Sequence, residues 1–175
     1  MRQLTEISGY REALESFSKE RLWALFDGDR SDLNIGHECI DRHSPDRLAV
    51  HIIDAEGDGE SYTFGDLQLW SNRFANYLET TGVPRGSTIA IMLEPSLAFY
   101  ATLFGAMKAG CVAVPMFTLF GPDGMRLRLD DCKPFLFLGA QAHVKLIDAV
   151  DQRRQVAVDE RFMAELEAQS SAYNP

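Results

Sequence analysis

The sequence predicts an α/β protein: a mostly parallel sheet with helices on both faces, preceded by an N-terminal helical segment and a β-hairpin. Three observations carry this. From Thr63 onward, helical and strand patterns alternate with short connections, which calls for parallel strands joined by crossovers. The strand segments Ser87–Leu93, Cys111–Pro115 and Phe135–Leu138 are almost continuously apolar rather than alternating, as expected of strands covered on both sides. The 175 residues are 46% hydrophobic and 25% charged, which is ordinary globular composition and excludes a disordered tail, a collagen-like rod and a coiled coil.

The elements follow in order. Over 4–26, Leu14, Phe17, Leu22, Leu25 and Phe26 recur at helical spacing, predicting an amphipathic helix or two short ones. Residues 27–47 are polar and irregular. Arg47–Ile53 and Glu60–Phe64 read as strands, and the Asp54–Gly59 stretch between them is turn chemistry, so the pair is a hairpin. Thr63 with Asp66 three residues on forms a capping box for a helix whose apolar face is Leu67, Trp70, Phe74, Tyr77 and Leu78. Gly82 fits a left-handed C-terminal cap, and Pro84 forbids continuation. Ser87–Leu93 is a strand. Pro95 opens a helix to Ala109, which Gly110 caps, and Cys111–Pro115 is the next strand. Pro122 opens a helix to about Cys132. Phe135–Leu138 is a strand, Gln141–Val150 a helix, Gln155–Val158 a strand and Arg161–Ala168 a last helix. The natural division falls at a connector: 1–46 as a helical and connecting segment, 47–175 as an α/β subdomain.

Charge and cysteines exclude some functions. Lys and Arg number 17 against 26 Asp and Glu, a net charge of −9. Nucleic-acid binding, which rests on cations neutralising phosphates, is not expected. Cys39, Cys111 and Cys132 form no disulfide framework and no Cys-x-x-Cys pair, which reads as a reduced, cytoplasmic protein. Met1–Arg11 has no apolar signal region. Leu97–Phe120 is long enough to span a bilayer, but Lys108, Gly110 and Pro115 interrupt it, so it reads as a helix followed by a buried strand.

Several short patterns imitate chemistry. Asp27–Glu38 resembles a calcium loop but carries Asp32 where the sharp turn demands glycine. His37, Cys39, Asp41 and His43 would share a face on a strand but diverge on a helix, and no zinc spacing matches, so no metal site is expected. Asp41-Arg42-His43 reads instead as local hydrogen bonds and ion pairs. Gly105–Gly110 has the first spacing of a phosphate loop, but Cys111-Val112 follows where Lys and Ser or Thr are needed. Lys108, at a helix C-terminus, is expected to complement the helix dipole.

Two longer stretches carry a family resemblance. Ser61-Tyr62-Thr63-Phe64-Gly65-Asp66-Leu67, followed by Ser71-Asn72-Arg73-Phe74-Ala75-Asn76-Tyr77-Leu78, resembles the first shared motif of the AMP-forming acyl-CoA synthetases. Gly82–Leu93 is similar to the strand that follows it there. Met107-Lys108-Ala109-Gly110-Cys111-Val112-Ala113-Val114-Pro115 resembles the second motif. Leu33-Asn34, Asp41-Arg42-His43 and Phe120-Gly121-Pro122-Asp123 are similar to the acetyl-CoA-synthetase-like branch. The resemblance implies a ligase using ATP, Mg²⁺, CoA and a small carboxylate. The carboxylate and ATP give an acyl-adenylate and pyrophosphate, and the CoA thiol then displaces AMP.

The family's phosphate loop, metal carboxylates and catalytic lysine match nothing in this sequence, and family members are much longer. The resemblance therefore implies an incomplete N-terminal part, inactive alone, with no catalytic residue to assign. Thr63, Gly82, Lys108, Gly110 and Pro115 read as scaffold. Phe120 and Gly121 are the candidate CoA contacts, an aromatic for adenine beside a glycine at a helix N-terminus. The alternative is a stand-alone, non-catalytic module binding CoA, a nucleotide or a protein. Because the 97–107 helix and its neighbouring strands are apolar throughout, the isolated chain is expected to self-associate.

Overall fold

The structure is a computed structural model that describes residues 3–55, 57–147 and 154–175. The chain divides into two compact units, Met1–Asn34 and Ile35–Pro175. In the first, the helical periodicity resolves into two short helices, α1 (Tyr10–Ser16) and α2 (Lys19–Trp23). Ser18 separates them by capping α2, its hydroxyl accepting from the Arg21 N–H.

The second unit begins with a π-helical turn, His37–Asp41, inside the stretch that the sequence reading left irregular. The hairpin follows, with β1 (Leu48–Ile53) antiparallel to β2 (Gly59–Thr63). Asp54 closes the turn, its backbone N–H donating to the Asp58 carbonyl and its carboxylate accepting from the Asp58 N–H.

Thr63 caps α3 (Phe64–Thr80) through the expected box: its hydroxyl accepts from the Asp66 N–H, and the Asp66 carboxylate accepts from the Thr63 N–H. The helix ends in a Schellman motif. Gly82, at φ +74°, donates to Glu79 O, and Val83 donates to Leu78 O. The same motif closes α4 (Leu97–Lys108), with Gly110 at φ +68° donating to Met107 O and Cys111 donating to Ala106 O. Only glycine enters this region freely, and each motif hands the helix directly to a strand.

The strands β3 (Thr88–Met92), β4 (Val112–Pro115), β5 (Leu136–Gly139) and β6 (Gln155–Ala157) form one parallel sheet in the order β4-β3-β5-β6. Its faces are covered separately. Ile89, Ile91, Leu136 and Leu138 pack with α3, α4 and α7 (Glu160–Glu167). Ala90, Met92 and Phe137 pack with Met125 and Leu129 of α5 (Pro122–Cys132). Helices α3 and α4 approach closely at Gly105, where a Cβ would lie 2.6 Å from the Ser71 carbonyl oxygen.

Four expectations are corrected. The N-cap of α4 is Ser96, not Pro95, because the Ser96 hydroxyl can accept from the Phe99 N–H. The helix placed at Gln141–Val150 is helical only over α6 (Gln141–Val144), turns at 145–146, and passes beyond the described residues from 148. No residue of α4 is exposed, so this unit already encloses the helix thought too apolar to cover. Lys108 is not an exposed dipole partner but fully buried. Among the described residues no helix is long and apolar enough to cross a membrane.

Candidate functional site

Two places gather polar side chains. The first is the interior of the α3–α4 layer. Schellman closure of α4 turns Lys108 inward, where its Nζ donates to Asp41 Oδ1 at 2.5 Å and to Asn72 Oδ1 at 2.6 Å. Burial pushes the ammonium pKa down, and the Asp41 carboxylate opposes that shift. The local ion pairing expected for Asp41 is thereby corrected: Asp41 pairs across 67 residues of chain, while Arg42 pairs locally with Glu38 at 2.5 Å. Three residues of the metal-like pattern are drawn apart. Asp41 faces Lys108, the His43 ring lies 4.5 Å from that of Phe64, and Cys39 is exposed.

The second place is a cleft of about 360 Å³ beyond the carboxyl ends of the parallel strands. Its polar lining comes from the segments that leave them: Glu94 and Ser96 after β3, Thr118 after β4, His143 of α6 after β5 and Asp159 after β6. Met92, Val158 and Met163 supply apolar wall. Connections from β3 lead to one side of the sheet and those from β5 to the other, so the cleft lies at a topological switch point, where open α/β sheets bind ligands.

Most of the cleft's polar groups have local partners. Thr118 donates to the Glu94 carboxylate, Ser96 donates to Glu94 O at 3.0 Å, and Asp159 accepts from the Phe162 N–H at 3.0 Å. Nδ1 of His143 is buried without a hydrogen-bond partner. The cleft offers acceptors, a hydroxyl and an imidazole around apolar wall, an arrangement for holding a ligand. A Ser–His contact does occur elsewhere, with His51 Nδ1 2.7 Å from Ser61 Oγ, but it lies on exposed hairpin surface where water competes for it.

The loop carrying Thr118 continues into Phe120 and Gly121, the candidate CoA contacts. Phe120 packs on the second core, and the Arg128 guanidinium lies over its ring at 3.6 Å. Gly121 is the exposed N-cap of α5, with no atom within 4 Å of where a Cβ would stand, so a ligand can approach the backbone there. Asp123 in the first turn already complements part of that helix dipole. Sequence reasoning missed Glu94, Thr118, His143 and Asp159. A signal was available: each lies in the segment that follows a predicted strand.

A parallel sheet covered by helices on both faces, with a cleft at its switch point, defines an open α/β fold. Residues 38–174 match the AMP-binding enzyme family, and the chain belongs to it. It is similar to acetyl-coenzyme A synthetase of Bacillus subtilis (strain 168), 35% identical over 104 residues that make up 57% of this chain and 18% of that protein. Propionate–CoA ligase of Escherichia coli (strain K12) is 28% identical over 151 residues, 76% of this chain and 24% of that one. Among solved structures, an acyl-CoA synthetase of Brucella canis superposes with a TM-score of 0.85 at 25% identity, covering 97% of this chain and 34% of that chain. The chain thus corresponds to the N-terminal part of an AMP-forming acyl-CoA synthetase and spans about a third or less of these relatives' length.

Proposed function

We propose that this chain supplies the N-terminal part of an AMP-forming acid–thiol ligase, which converts a carboxylate, ATP and CoA into acyl-CoA, AMP and pyrophosphate. The family match over residues 38–174 carries this reading. Charge builds on the α-phosphate and the acyl carbonyl in such a reaction, so catalysis needs a phosphate-gripping loop, Mg²⁺ and a cationic side chain. The sequence matches the family's motif for none of these, and Lys108, already bonded to Asp41 and Asn72, is committed to the interior. The chain's own contribution is to hold the sheet and to present the loop Thr118–Gly121 at the cleft rim. On this reading Phe120 and the open backbone at Gly121 are the contacts for the CoA nucleotide, with Gly121 the more accessible of the two because the Arg128 guanidinium already lies over the Phe120 ring. Carboxylate-dependent ATP–pyrophosphate exchange by the isolated chain should not exceed that of a heat-killed control; exchange above it would overturn this reading.

Assembly and setting follow from the same reading. The sheet ends in β4, whose Val112 is 55% exposed, and the next loop exposes Phe117 and Leu119 at 61% and 79%. An open strand edge beside apolar side chains favours pairing with another surface. The isolated chain therefore self-associates, most simply as a two-fold dimer. Its cysteines are free, in keeping with a reducing cytoplasm. Light scattering over a concentration series tests the assembly, and a monodisperse monomer at high concentration would refute it.

A further inference from the structure

The two motif stretches of the sequence meet physically through one side chain. Asn72 belongs to the first and Lys108 to the second, and Lys108 Nζ donates to Asn72 Oδ1 at 2.6 Å. The other end of the same amide faces elsewhere: Asn72 Nδ2 donates to the Ser171 carbonyl at 2.9 Å. One helical turn on, Asn76 Nδ2 donates to the Ser170 and Ala172 carbonyls at 2.9 and 3.0 Å. Tyr173 completes the set, its hydroxyl donating to Glu79 Oε1 at 2.8 Å. Residues 170–173 have no regular secondary structure and run as a strap along α3, held by side chains of that helix.

An asparagine amide has an acceptor end and a donor end of nearly the same shape. Its orientation is set by its neighbours. A lysine ammonium only donates, so it accepts Oδ1 as its partner and rejects Nδ2. The Ser171 carbonyl only accepts, so it requires Nδ2. Between these two the amide has one satisfied orientation. If Lys108 lost its donors, the Ser171 carbonyl alone would hold that orientation, and the Oδ1 end of the amide would be released. Asp41 Oδ1, 2.5 Å from Nζ on the opposite side, holds the ammonium in place.

We propose that Lys108 is a positioning residue that acts through Asn72 on the strap at residues 170–173, with Asp41 anchoring it. The inference concerns contacts within this chain and does not depend on the ligase reading, so a failure of pyrophosphate exchange to behave as expected would leave it standing.

The test is hydrogen–deuterium exchange, read by mass spectrometry on peptides covering the strap and, separately, α3 and β3. Asn72→Asp is the decisive variant. Its carboxylate still accepts from Lys108, but it cannot donate to Ser171. Asn72→Asp and Lys108→Met should each speed strap exchange by about tenfold or more beyond any change shared with β3, as a local opening requires. In an Asn72→Ala background, which has no amide for Lys108 to hold, Lys108→Met should add nothing further at the strap relative to β3. A strap that stays protected in folded Asn72→Asp would overturn the proposal. So would Lys108→Met accelerating the strap and β3 equally, which a general loss of stability produces. Should Lys108→Met fail to fold, the Asn72→Asp result alone decides.

Discussion

Lys108 Nζ is buried and met by two oxygens within 2.6 Å, whereas His143 Nδ1 is buried and meets none. The two nitrogens mark two regions built on opposite terms. In the α3–α4 layer, polar groups from a π-helical turn, a helix middle and a helix end satisfy one another inside a packed interior. At the carboxyl ends of the strands, polar groups bond only to near neighbours around a cleft, and His143 Nδ1 to none. A closed network of this kind fixes an arrangement of elements, because removing any member strands the others. An unsatisfied buried nitrogen contributes no such bond and carries a desolvation cost of its own. Within the two longer motif stretches, Asn72 and Lys108 are engaged with each other and with the rest of the interior, whereas the polar groups that line the cleft lie outside those two stretches.

The comparison can be broken or sharpened by mutation. Lys108→Met should cost the most, roughly 3 kcal/mol, since it leaves Asp41 and the Asn72 amide without their donor; urea unfolding measures it, and a cost near zero would erase the distinction between the regions. Gly110→Val, which disturbs the turn that aims Lys108 inward, should cost at least ~1 kcal/mol because a β-branched residue tolerates φ +68° poorly. Thr63→Ala removes the α3 cap and should lower stability by about 1 kcal/mol. Tyr173 reports on the strap by pH. Burial and its bond to Glu79 push the phenol up to about 12, so its stabilising contribution is complete below ~10 and is lost as pH rises from there through 12. Tyr173→Phe should flatten that alkaline loss. The smallest effect belongs to the cleft: His143→Leu should leave stability within about 0.5 kcal/mol.

Legibility in the sequence followed the range of the interactions. The capping box at Thr63–Asp66 and the glycine turns at Gly82 and Gly110 were readable because each is closed by residues a few positions apart. The parallel sheet was readable from apolar runs between such signals. The reach of Lys108 to Asp41 was not, since 67 residues separate them and a charge after an apolar helix looks the same whether it faces water or core. Ser96 was overlooked because Pro95 beside it gave a louder helix-start signal. The cleft was invisible for a related reason: Glu94, Thr118, His143 and Asp159 are ordinary polar residues that follow strands until the strand order brings those segments together.

The central claim, that ligand chemistry belongs to the strand-end cleft and its rim while the Lys108 network is architecture, is tested most directly by titrating CoA into the ¹⁵N-labelled chain. The account predicts amide shifts at Phe120 and Gly121 and in the adjoining cleft segments at Thr118 and His143, with Asn72 and Lys108 unmoved. Shifts centred on Asn72 and Lys108, or none at any CoA concentration, would contradict it.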